Sequence, residues 1–454
     1  MNLKKYRHIK LWLVVAISIV FWTLGTGYYG DLSADNKETY EGLKIFSDVI
    51  ELIEKNYVEE VESRELIEKA IQGMVHSLDP HSALLPPEAF EDLNIDTKGK
   101  FTGIGIHITM RDGFVTVISP IEGTPAYKAG ITALDRIIKV DDKPVTDIRQ
   151  AVKMMRGPKG TPVAVSIQRK GIEELIEFNL VRDVIPIESV KAVVLKPGYG
   201  YIRITNFNSG TTRDVRKALK KLESADDAFR GLILDFRDNG GGLLDQAIKV
   251  SDLFLEGGTI LSIKGRHQRN TRDFTAHPLE ADRDYPIVAL INGGSASASE
   301  IVVGALQDHK RALVLGTTSF GKGSVQTIET LDNGYGLKLT IAQYYTPSGR
   351  SIQAKGIEPD VVVNSRFEDG DGADTEDNRL KEKDLKNHLE ATPQKSKPKR
   401  KKTKNSEEKQ EQINKQRLDF KIGVVTAENL RSDNQIMRAL EILISHDIFD
   451  KTKS

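Results

Sequence analysis

The sequence predicts a multidomain α/β protein: an N-terminal helical segment, a small β-rich domain, an α/β core with a mixed sheet and a C-terminal helix. At 454 residues and 39% hydrophobic content, the chain can form two or more cored domains. Short β-type runs fill residues 101–170, and strands alternate with helices over 184–365, as in an α/β sheet. The predicted divisions are 1–30 (signal anchor or transmembrane segment), 38–98 (helical region), 99–182 (β-rich domain), 183–365 (core), 366–420 (disordered charged linker) and 421–454 (C-terminal helix).

The N-terminus predicts a membrane anchor. An apolar run from Leu11 to Tyr29 follows four basic residues, Lys4, Lys5, Arg7 and Lys10. Its length is about one bilayer crossing, and the charge asymmetry places the N-terminus inside. Residues 25–30 lack a clean small-x-small cleavage site, so we expect an uncleaved single-pass anchor in the cell membrane, with the body on the periplasmic or extracytoplasmic side. A cleaved signal peptide is the alternative.

Composition excludes several classes of function. The 65 basic and 65 acidic residues balance, so no global field favours nucleic acid. The absence of cysteine excludes disulfides, thiolate zinc sites and a cysteine nucleophile. His76 and His81 stand five residues apart with Pro80 between them, a spacing that does not align two imidazoles on a helix face. We therefore predict no metal, no cofactor and no nucleic-acid partner.

The ends of the body are predicted from apolar spacing and charge. Residues 39–71 have helical periodicity with a break at Tyr57, which predicts a pair of helices, and the proline-containing stretch 73–90 predicts a turn and an extended link. Residues 366–418 are charge-dense and poor in large apolar residues, which favours a solvated linker. The helix expected over 424–448 carries an apolar face that docks on the body or on another copy, formed by Ile436, Leu440 and Leu443.

The β-rich region has a recognisable arrangement of loops. Five stretches occur in order: Gly103-Ile104-Gly105-Ile106, 125–131, 135–138, 140–145 and 156–161. Together they resemble a PDZ domain. In that fold a glycine-flanked apolar loop presents N–H groups to a peptide's C-terminal carboxylate, and the peptide adds as a strand. The resemblance implies that Gly103, Ile104, Gly105 and Ile106 bind substrate, although an ordinary strand start is the alternative reading of that loop.

The stretch 289–301 carries the strongest chemical signal. A buried strand leads through a glycine turn into Ser295-Ala-Ser297-Ala-Ser299-Glu-Ile, where small residues open a helix. Such a turn allows one hydroxyl to project into a cleft beside a backbone N–H that can stabilise an oxyanion. Ser297 is the central hydroxyl. The alternative is that the three serines only cap the helix.

Lys322 is the candidate base. It lies between glycines in Ser319-Phe-Gly-Lys-Gly-Ser-Val-Gln326, after a predicted strand. Partial desolvation would lower the lysine pKa toward the working pH, and Gln326 could orient the amine. The string does not satisfy the phosphate-loop pattern, because Gly323 separates Lys322 from Ser324.

Taken together, these motifs resemble the C-terminal processing peptidases, the tail-specific serine proteases. The resemblance covers about residues 40–363 and includes 77–82, 235–242 and 345–360. It implies a crotonase- or ClpP-like core, Ser297 as nucleophile, Lys322 as general base and Gln326 as the orienting residue. It also implies an oxyanion hole from the N–H groups of Ala298 and Gly241, with Gly240 and Gly242 as rivals.

Two further assignments come from the same resemblance. Arg156 lies where the family's regulatory arginine is found and is included among the substrate-binding candidates; a surface arginine is the alternative. Asp235, Arg237 and Asp238 are interpreted as holding the glycine turn.

The expected function is serine endoproteolysis of proteins with flexible C-termini, with a homo-oligomer or an adaptor as further expected partners. The alternatives are an inactive PDZ scaffold and a ligand carrier. Either alternative could lose the residues that chemistry needs, so the joint presence of Ser297, Lys322 and Gln326 argues for the protease.

Overall fold

The computed structural model describes residues 37–225, 229–279, 281, 283–365, 379–390 and 426–453. The chain divides into two compact units, 1–77 and 78–454. In the described part of the first unit, helix α1 spans 37–56 and helix α2 spans Ser63–His76. The helical pair expected from apolar spacing is therefore present.

The predicted single-pass membrane location requires a correction. Across the described ranges, no helix is long and apolar enough to cross a bilayer. The segment 1–30, for which the anchor was predicted, lies outside the described residues. The structure thus supplies no membrane span for this prediction, which we withdraw.

The second unit begins differently from the extended link that the prolines predicted. Strand β1 (Ala83–Leu85) is followed directly by helix α3 (Pro87–Lys98), with Pro86 as the N-cap and Pro87 at the first helical position. Proline is favoured at that position, because its missing N–H would have no helical partner and its fixed φ suits the first turn. The two prolines therefore begin a helix here.

The β-rich domain contains an antiparallel sheet closed by short helices. One of its two outer strands is β3, which pairs only with β4 among the described strands. A separate strand pair, β2 with β9, joins the domain's entry to its exit. The elements are β2 (Lys100–Gly103), β3 (Ile106–Arg111), β4 (Phe114–Pro120), α4 (Pro125–Ala129), β5 (Arg136–Val140), β6 (Lys143–Pro144), α5 (Ile148–Met155), β7 (Pro162–Gln168), β8 (Ile176–Val181) and β9 (Asp183–Pro186).

The core has a six-stranded mixed sheet in the order β10-β11-β12-β15-β16-β19, in which only β10 is antiparallel to its neighbour. Its elements are β10 (Val190–Lys196), β11 (Tyr199–Ile204), α6 (Thr211–Glu223), β12 (Gly231–Asp235), α7 (Leu244–Asp252), β15 (Ile287–Ile291), α8 (Ala298–Asp308), β16 (Ala312–Gly316) and β19 (Val361–Val362).

A second core sheet is antiparallel and includes β1. Strand β18 pairs with β1, β13 and β17, and β14 extends the sheet beyond β13. The remaining strands are β13 (Thr259–Gly265), β14 (Arg272–Thr275), β17 (Ser324–Thr330) and β18 (Gly336–Tyr345).

Both faces of the mixed sheet are covered. On one face Leu234 and Ile291 join the apolar core that includes α6, α7 and α8. On the other face Tyr201 and Leu290 pack with the C-terminal helices, α9 (Ala427–Leu430) and α10 (Asn434–Lys453). The apolar face predicted for the C-terminal helix therefore docks on the body. Because both faces are buried, the central strands read as unbroken apolar runs.

A buried ion network fixes α10 to the sheet. Asp235 at the end of β12 accepts from the backbone N–H and two guanidinium N–H groups of Arg237, with Nη2 2.7 Å from Oδ2, and from the Tyr201 hydroxyl at 2.8 Å. Arg237 continues to Asp433 at 2.8 Å. Burial acts to raise the pKa of Asp235, but Arg237 and Arg203 outweigh it and lower this pKa to about 2.

Asp235→Asn is expected to lower the free energy of unfolding by about 3 kcal/mol, because it removes the buried negative charge that pairs with Arg237 and Arg203. The measurement is urea unfolding at pH 7. Since the folded-state pKa of Asp235 lies below its unfolded value of 3.8, the contribution is present above about pH 4 and is lost as pH falls toward 2. Asp245→Asn is the control, because that exposed carboxylate pairs with Lys249 at the surface and accepts from Gln246 Nε2. Equal stability of the two variants would contradict the assigned role of the network.

Candidate active site

Ser297 lies at the sharp turn between β15 and α8. It is the N-cap of α8 and has φ 55° and ψ −113°, a region that L-residues rarely adopt. Such strain is found where a turn presents a side chain for chemistry. The Ser297 side chain is half-buried, so it remains accessible at the edge of the core.

The flanking serines have other partners. Ser295 Oγ donates to the Phe236 carbonyl at 2.8 Å, and Ser299 Oγ donates to the Asn239 carbonyl at 2.9 Å. Both side chains tie this turn to the loop after β12. Ser295 and Ser299 are thereby committed to structure, which leaves Ser297 as the candidate nucleophile.

Lys322 lies in the loop between β16 and β17 and is half-buried. Burial, together with the positive charge of Lys338, lowers the pKa of Lys322 to about 8, against the opposing effect of three nearby carboxylates. These are Glu382, Glu300 and Asp79. In the described part of the chain, the amine makes no hydrogen bond. It is therefore suited to accept a proton near neutral pH.

Glu300 joins the two loops. One carboxylate oxygen accepts from the Ser297 N–H at 2.8 Å and from the Lys322 N–H at 3.0 Å. The other accepts from Ser319 Oγ at 2.5 Å and from the Gly321 N–H at 2.7 Å. A single buried side chain thus holds the backbone of the candidate nucleophile and that of the candidate base in one arrangement.

Tyr344 makes a second connection between the same loops. Its buried hydroxyl forms a hydrogen bond with the Ser297 side chain and donates to the Lys322 carbonyl. The residue is on β18, so the antiparallel sheet supplies this contact. The structure therefore brings together the loops that carry Ser297 and Lys322.

Gln326 lies on β17 but faces other partners. Its amide nitrogen donates to Ser324 Oγ at 2.8 Å and to Thr340 Oγ1 at 3.3 Å. Thr340 Oγ1 in turn lies 3.2 Å from Asp79 Oδ1. Gln326 would have to exchange these partners in order to orient the Lys322 amine.

The glycine turn 240–242 lies beside Ser297. A Cβ placed on Gly241 would lie 2.8 Å from Ser297 Cβ and 3.0 Å from the Ala298 nitrogen, so a larger residue cannot approach as closely. Ala298 begins α8, and its N–H points out of the helix without an intrahelical acceptor. The Gly241 N–H donates to Asn239 Oδ1 at 2.9 Å. The choice among Gly240, Gly241 and Gly242 therefore stays a prediction.

The predicted carboxylate-binding loop connects β2 to β3. Gly105 has φ 81°, and a Cβ there would lie 2.4 Å from Thr124 Cβ, so the turn requires glycine. Ile104 is buried, and Gly103 and Ile106 end β2 and begin β3. The outer edge of β3 lies beside α5. This geometry suits addition of a peptide strand.

Arg156 is the C-cap of α5. Its guanidinium pairs with Asp92 of α3 at 2.8 Å and lies over the Phe101 ring at 5.5 Å from the ring centre. These contacts join the β-rich domain to α3. The substrate-binding role of Arg156 stays a prediction.

Sequence reasoning missed three side chains near Ser297 and Lys322: Glu300, Tyr344 and Glu382. The spacing Ser297-x-x-Glu300 is the capping-box pattern, which is a usable signal for the first. Tyr344 directly precedes the motif 345–360, but that motif does not indicate a role for the tyrosine. Glu382 lies in the charge-dense stretch, where local composition gives no sign of burial.

Family models match three parts of the chain. The model described as peptidase family S41 matches residues 198–363, the PDZ domain model matches 102–180, and a model described as the activating protease CtpB N-terminal domain matches 29–88. The first two matches coincide with the α/β core and the β-rich domain. The predicted fold class is confirmed.

Curated relatives extend across most of the chain. A carboxy-terminal-processing protease of Bartonella bacilliformis is 47% identical over 333 residues, which covers 72% of this chain and 76% of the relative. The carboxy-terminal processing protease CtpA of Bacillus subtilis is 35% identical over 78% of this chain and 77% of its own. Among solved structures, the photosystem II D1 C-terminal processing protease is 30% identical. The match covers 70% of this chain and 92% of that protease, with a TM-score of 0.41.

Proposed function

Because the chain belongs to peptidase family S41 and is related to carboxy-terminal-processing proteases, we propose that Ser297 and Lys322 form its catalytic dyad. The chain is a serine-type endopeptidase of this class. The observation that carries the dyad is the clamp by Glu300, which binds the backbone of both residues beside a lysine whose pKa burial lowers to about 8.

The proposed chemistry begins with proton transfer. The neutral Lys322 amine takes the proton of Ser297 Oγ as that oxygen attacks the scissile carbonyl carbon. The Ala298 N–H and one N–H of the 240–242 turn donate to the oxyanion. Collapse of the tetrahedral intermediate expels the amine of the leaving peptide, which takes the proton from Lys322, and leaves an acyl ester on Ser297.

The second half restores the enzyme. Lys322, neutral again, takes a proton from water as the water oxygen attacks the ester carbonyl, and it returns this proton to Ser297 Oγ when the acid product leaves. Gln326 would support the amine after exchanging its present partners, Ser324 and Thr340.

Substrate recognition is proposed for the PDZ domain. The 103–106 loop would receive the terminal carboxylate of the substrate, and the outer edge of β3 would pair with the extended tail. The substrates would be proteins with flexible, apolar C-termini, because a folded end cannot add as a strand. Arg156 would couple substrate binding in the PDZ domain to α3, or limit access of the substrate to the 103–106 loop, through its contacts with Asp92 and Phe101.

We expect an unstructured peptide with a free, apolar C-terminus to be cleaved at least about 10-fold faster, in kcat/KM, than the same peptide amidated at its end, because amidation removes a charge-assisted hydrogen bond to the loop. The measurement is steady-state cleavage monitored by mass spectrometry. A scrambled peptide that keeps the same last three residues is the control. Equal rates for acid and amide would contradict tail recognition without bearing on the dyad.

A further inference from the structure

A short segment beyond the matched protease core lies against the candidate active site. Residues 379–390 fall within the stretch 366–420 that composition predicts to be a linker, yet this segment binds both sides of the site. Arg379 pairs with Asp238 at 2.7 Å, next to the glycine turn. Lys381 Nζ donates to the Thr318 carbonyl, and the Glu382 N–H donates to the Phe320 carbonyl, each at 3.2 Å. The segment therefore reaches from the glycine turn to the loop that carries Lys322.

Glu382 is the buried member of this segment. Its side chain is completely buried, whereas four other charged side chains of the segment are exposed: Lys383, Asp384, Lys386 and Glu390. Burying a carboxylate costs several kcal/mol unless it gains hydrogen bonds and a nearby positive charge. Its carboxylate lies 2.7 Å from His81 Nε2 and accepts from Gln353 Nε2 at 2.8 Å. Glu382 is thus the buried anchor of the segment, in addition to the contacts of Arg379 and Lys381.

These contacts enclose the loop of Lys322. The Glu382 backbone holds the Phe320 carbonyl on one side of the lysine. On the other side, Gln353 accepts from the Gly323 N–H at 2.8 Å while it donates to Glu382. The loop is therefore held before Lys322 by the Glu382 N–H and after it by Gln353, whose amide nitrogen donates to Glu382 and also to the Leu389 carbonyl at 3.0 Å.

The turn that supplies His81 belongs to the same arrangement. Asp79 Oδ1 accepts from the His81 N–H and the Ser82 N–H, each at 2.8 Å. This turn fixes the direction of the His81 ring toward Glu382. The motif 77–82, which the sequence singles out without a role, thus supports the buried carboxylate.

Glu382 also acts on Lys322 through its charge. The charged groups that act on Lys322 are Lys338 on β18, Glu300 on α8, Asp79 in the turn before β1, and Glu382. Among the three carboxylates, Glu382 has the largest effect in favour of the ammonium form, and it opposes burial and Lys338. Gln326 does not contact the amine in this arrangement.

We propose that Glu382 is a positioning residue for Lys322, delivered to the active site from outside the protease core. This inference rests on the proposed dyad. It assigns to segment 379–390 the role of completing the pocket of the base: Glu382 fixes the loop through Phe320 and Gln353 and sets the charge that the amine experiences.

The test compares the pH profile of kcat/KM on the free-acid peptide for wild type, Glu382→Gln, Glu382→Asp and Glu390→Gln. Glu390→Gln is the matched control, because it removes the same charge from an exposed position of the same segment. We expect Glu382→Gln to lower the rate roughly 10-fold through misplacement of the base. We also expect its activity to rise at lower pH than in wild type, because the ammonium form of Lys322 loses an anion. Glu390→Gln should leave both quantities unchanged.

Glu382→Asp keeps the charge and shortens the side chain. We therefore expect its kcat/KM to be about fivefold or more below that of wild type, with little change in the midpoint of the pH profile. If Glu382→Gln does not fold, as judged by its thermal midpoint, the Glu382→Asp rate decides, and a wild-type rate overturns the proposal. If Ser297→Ala is inactive while Glu382→Gln keeps the wild-type rate and midpoint, the role of Glu382 is wrong and the dyad stands. If Ser297→Ala cleaves like wild type, both fall.

Discussion

Lys322→Ala and Ser297→Ala are each expected to lower kcat by about 10³-fold or more, with unfolding midpoints close to that of wild type. Within the described residues the Lys322 amine makes no hydrogen bond, and the Tyr344 hydroxyl that bonds the Ser297 side chain keeps its bond to the Lys322 carbonyl, so we expect neither truncation to prevent folding. The double variant should be no worse than the poorer single variant, since the two groups act on one proton. The measurement is single-turnover cleavage of the free-acid peptide at pH 8.

Lys322→Arg separates charge from basicity. Its guanidinium keeps a positive charge at every accessible pH and cannot accept a proton, so we expect it to be as inactive as alanine. In wild type, kcat/KM should rise with pH and reach half of its plateau near pH 8, because Lys322 must lose its proton before it can act and burial places its pKa at about 8. A flat profile between pH 6 and 9, or an active Lys322→Arg, would exclude this lysine as the base.

The sequence singles out Ser297 and Lys322 as candidates because the relevant information is local. Ser297 is marked by small residues at a strand-to-helix turn, and Lys322 by its flanking glycines. Each signal comes from steric demands that a few neighbouring residues must satisfy. The parallel strands can also be predicted from the sequence, because strands buried on both faces form continuous apolar runs, as at 231–235 and 287–291.

Other features depend on partners that are distant in sequence. Gln326 donates to Thr340 of β18, which lies 14 residues further along the chain. No local sequence pattern shows that Gln326 binds this hydroxyl rather than the Lys322 amine. Glu382 is buried only because His81 and Gln353 meet it, at separations of 301 and 29 residues. Composition predicts that a charged stretch is on average exposed to solvent. Whether one of its carboxylates is buried depends on the surface that the stretch contacts.

The second large effect is expected at Glu300. Glu300→Ala should lower kcat about 100-fold and the free energy of unfolding by about 3 kcal/mol, because it leaves buried donors of both catalytic loops without an acceptor. These donors are the N–H groups of Ser297, Gly321 and Lys322 and the hydroxyl of Ser319. Stability is measured by urea unfolding and kcat by steady-state cleavage. Glu329→Gln, which changes an exposed carboxylate on β17, is the control.

Glu300→Gln distinguishes the clamp from a charge effect. Glutamine keeps one acceptor oxygen, but its amide nitrogen would face two donors, so it should lose roughly half of the stabilisation and still misplace one loop. Burial raises the pKa of Glu300 to about 7, although its four hydrogen bonds oppose this. Because 7 lies above the unfolded value of 4.5, this carboxyl contributes stability fully below about pH 4.5 and loses that contribution as pH rises through 7. The glutamine variant should lack that decline, and wild-type activity in it would mean that Ser297 and Lys322 are aligned without Glu300.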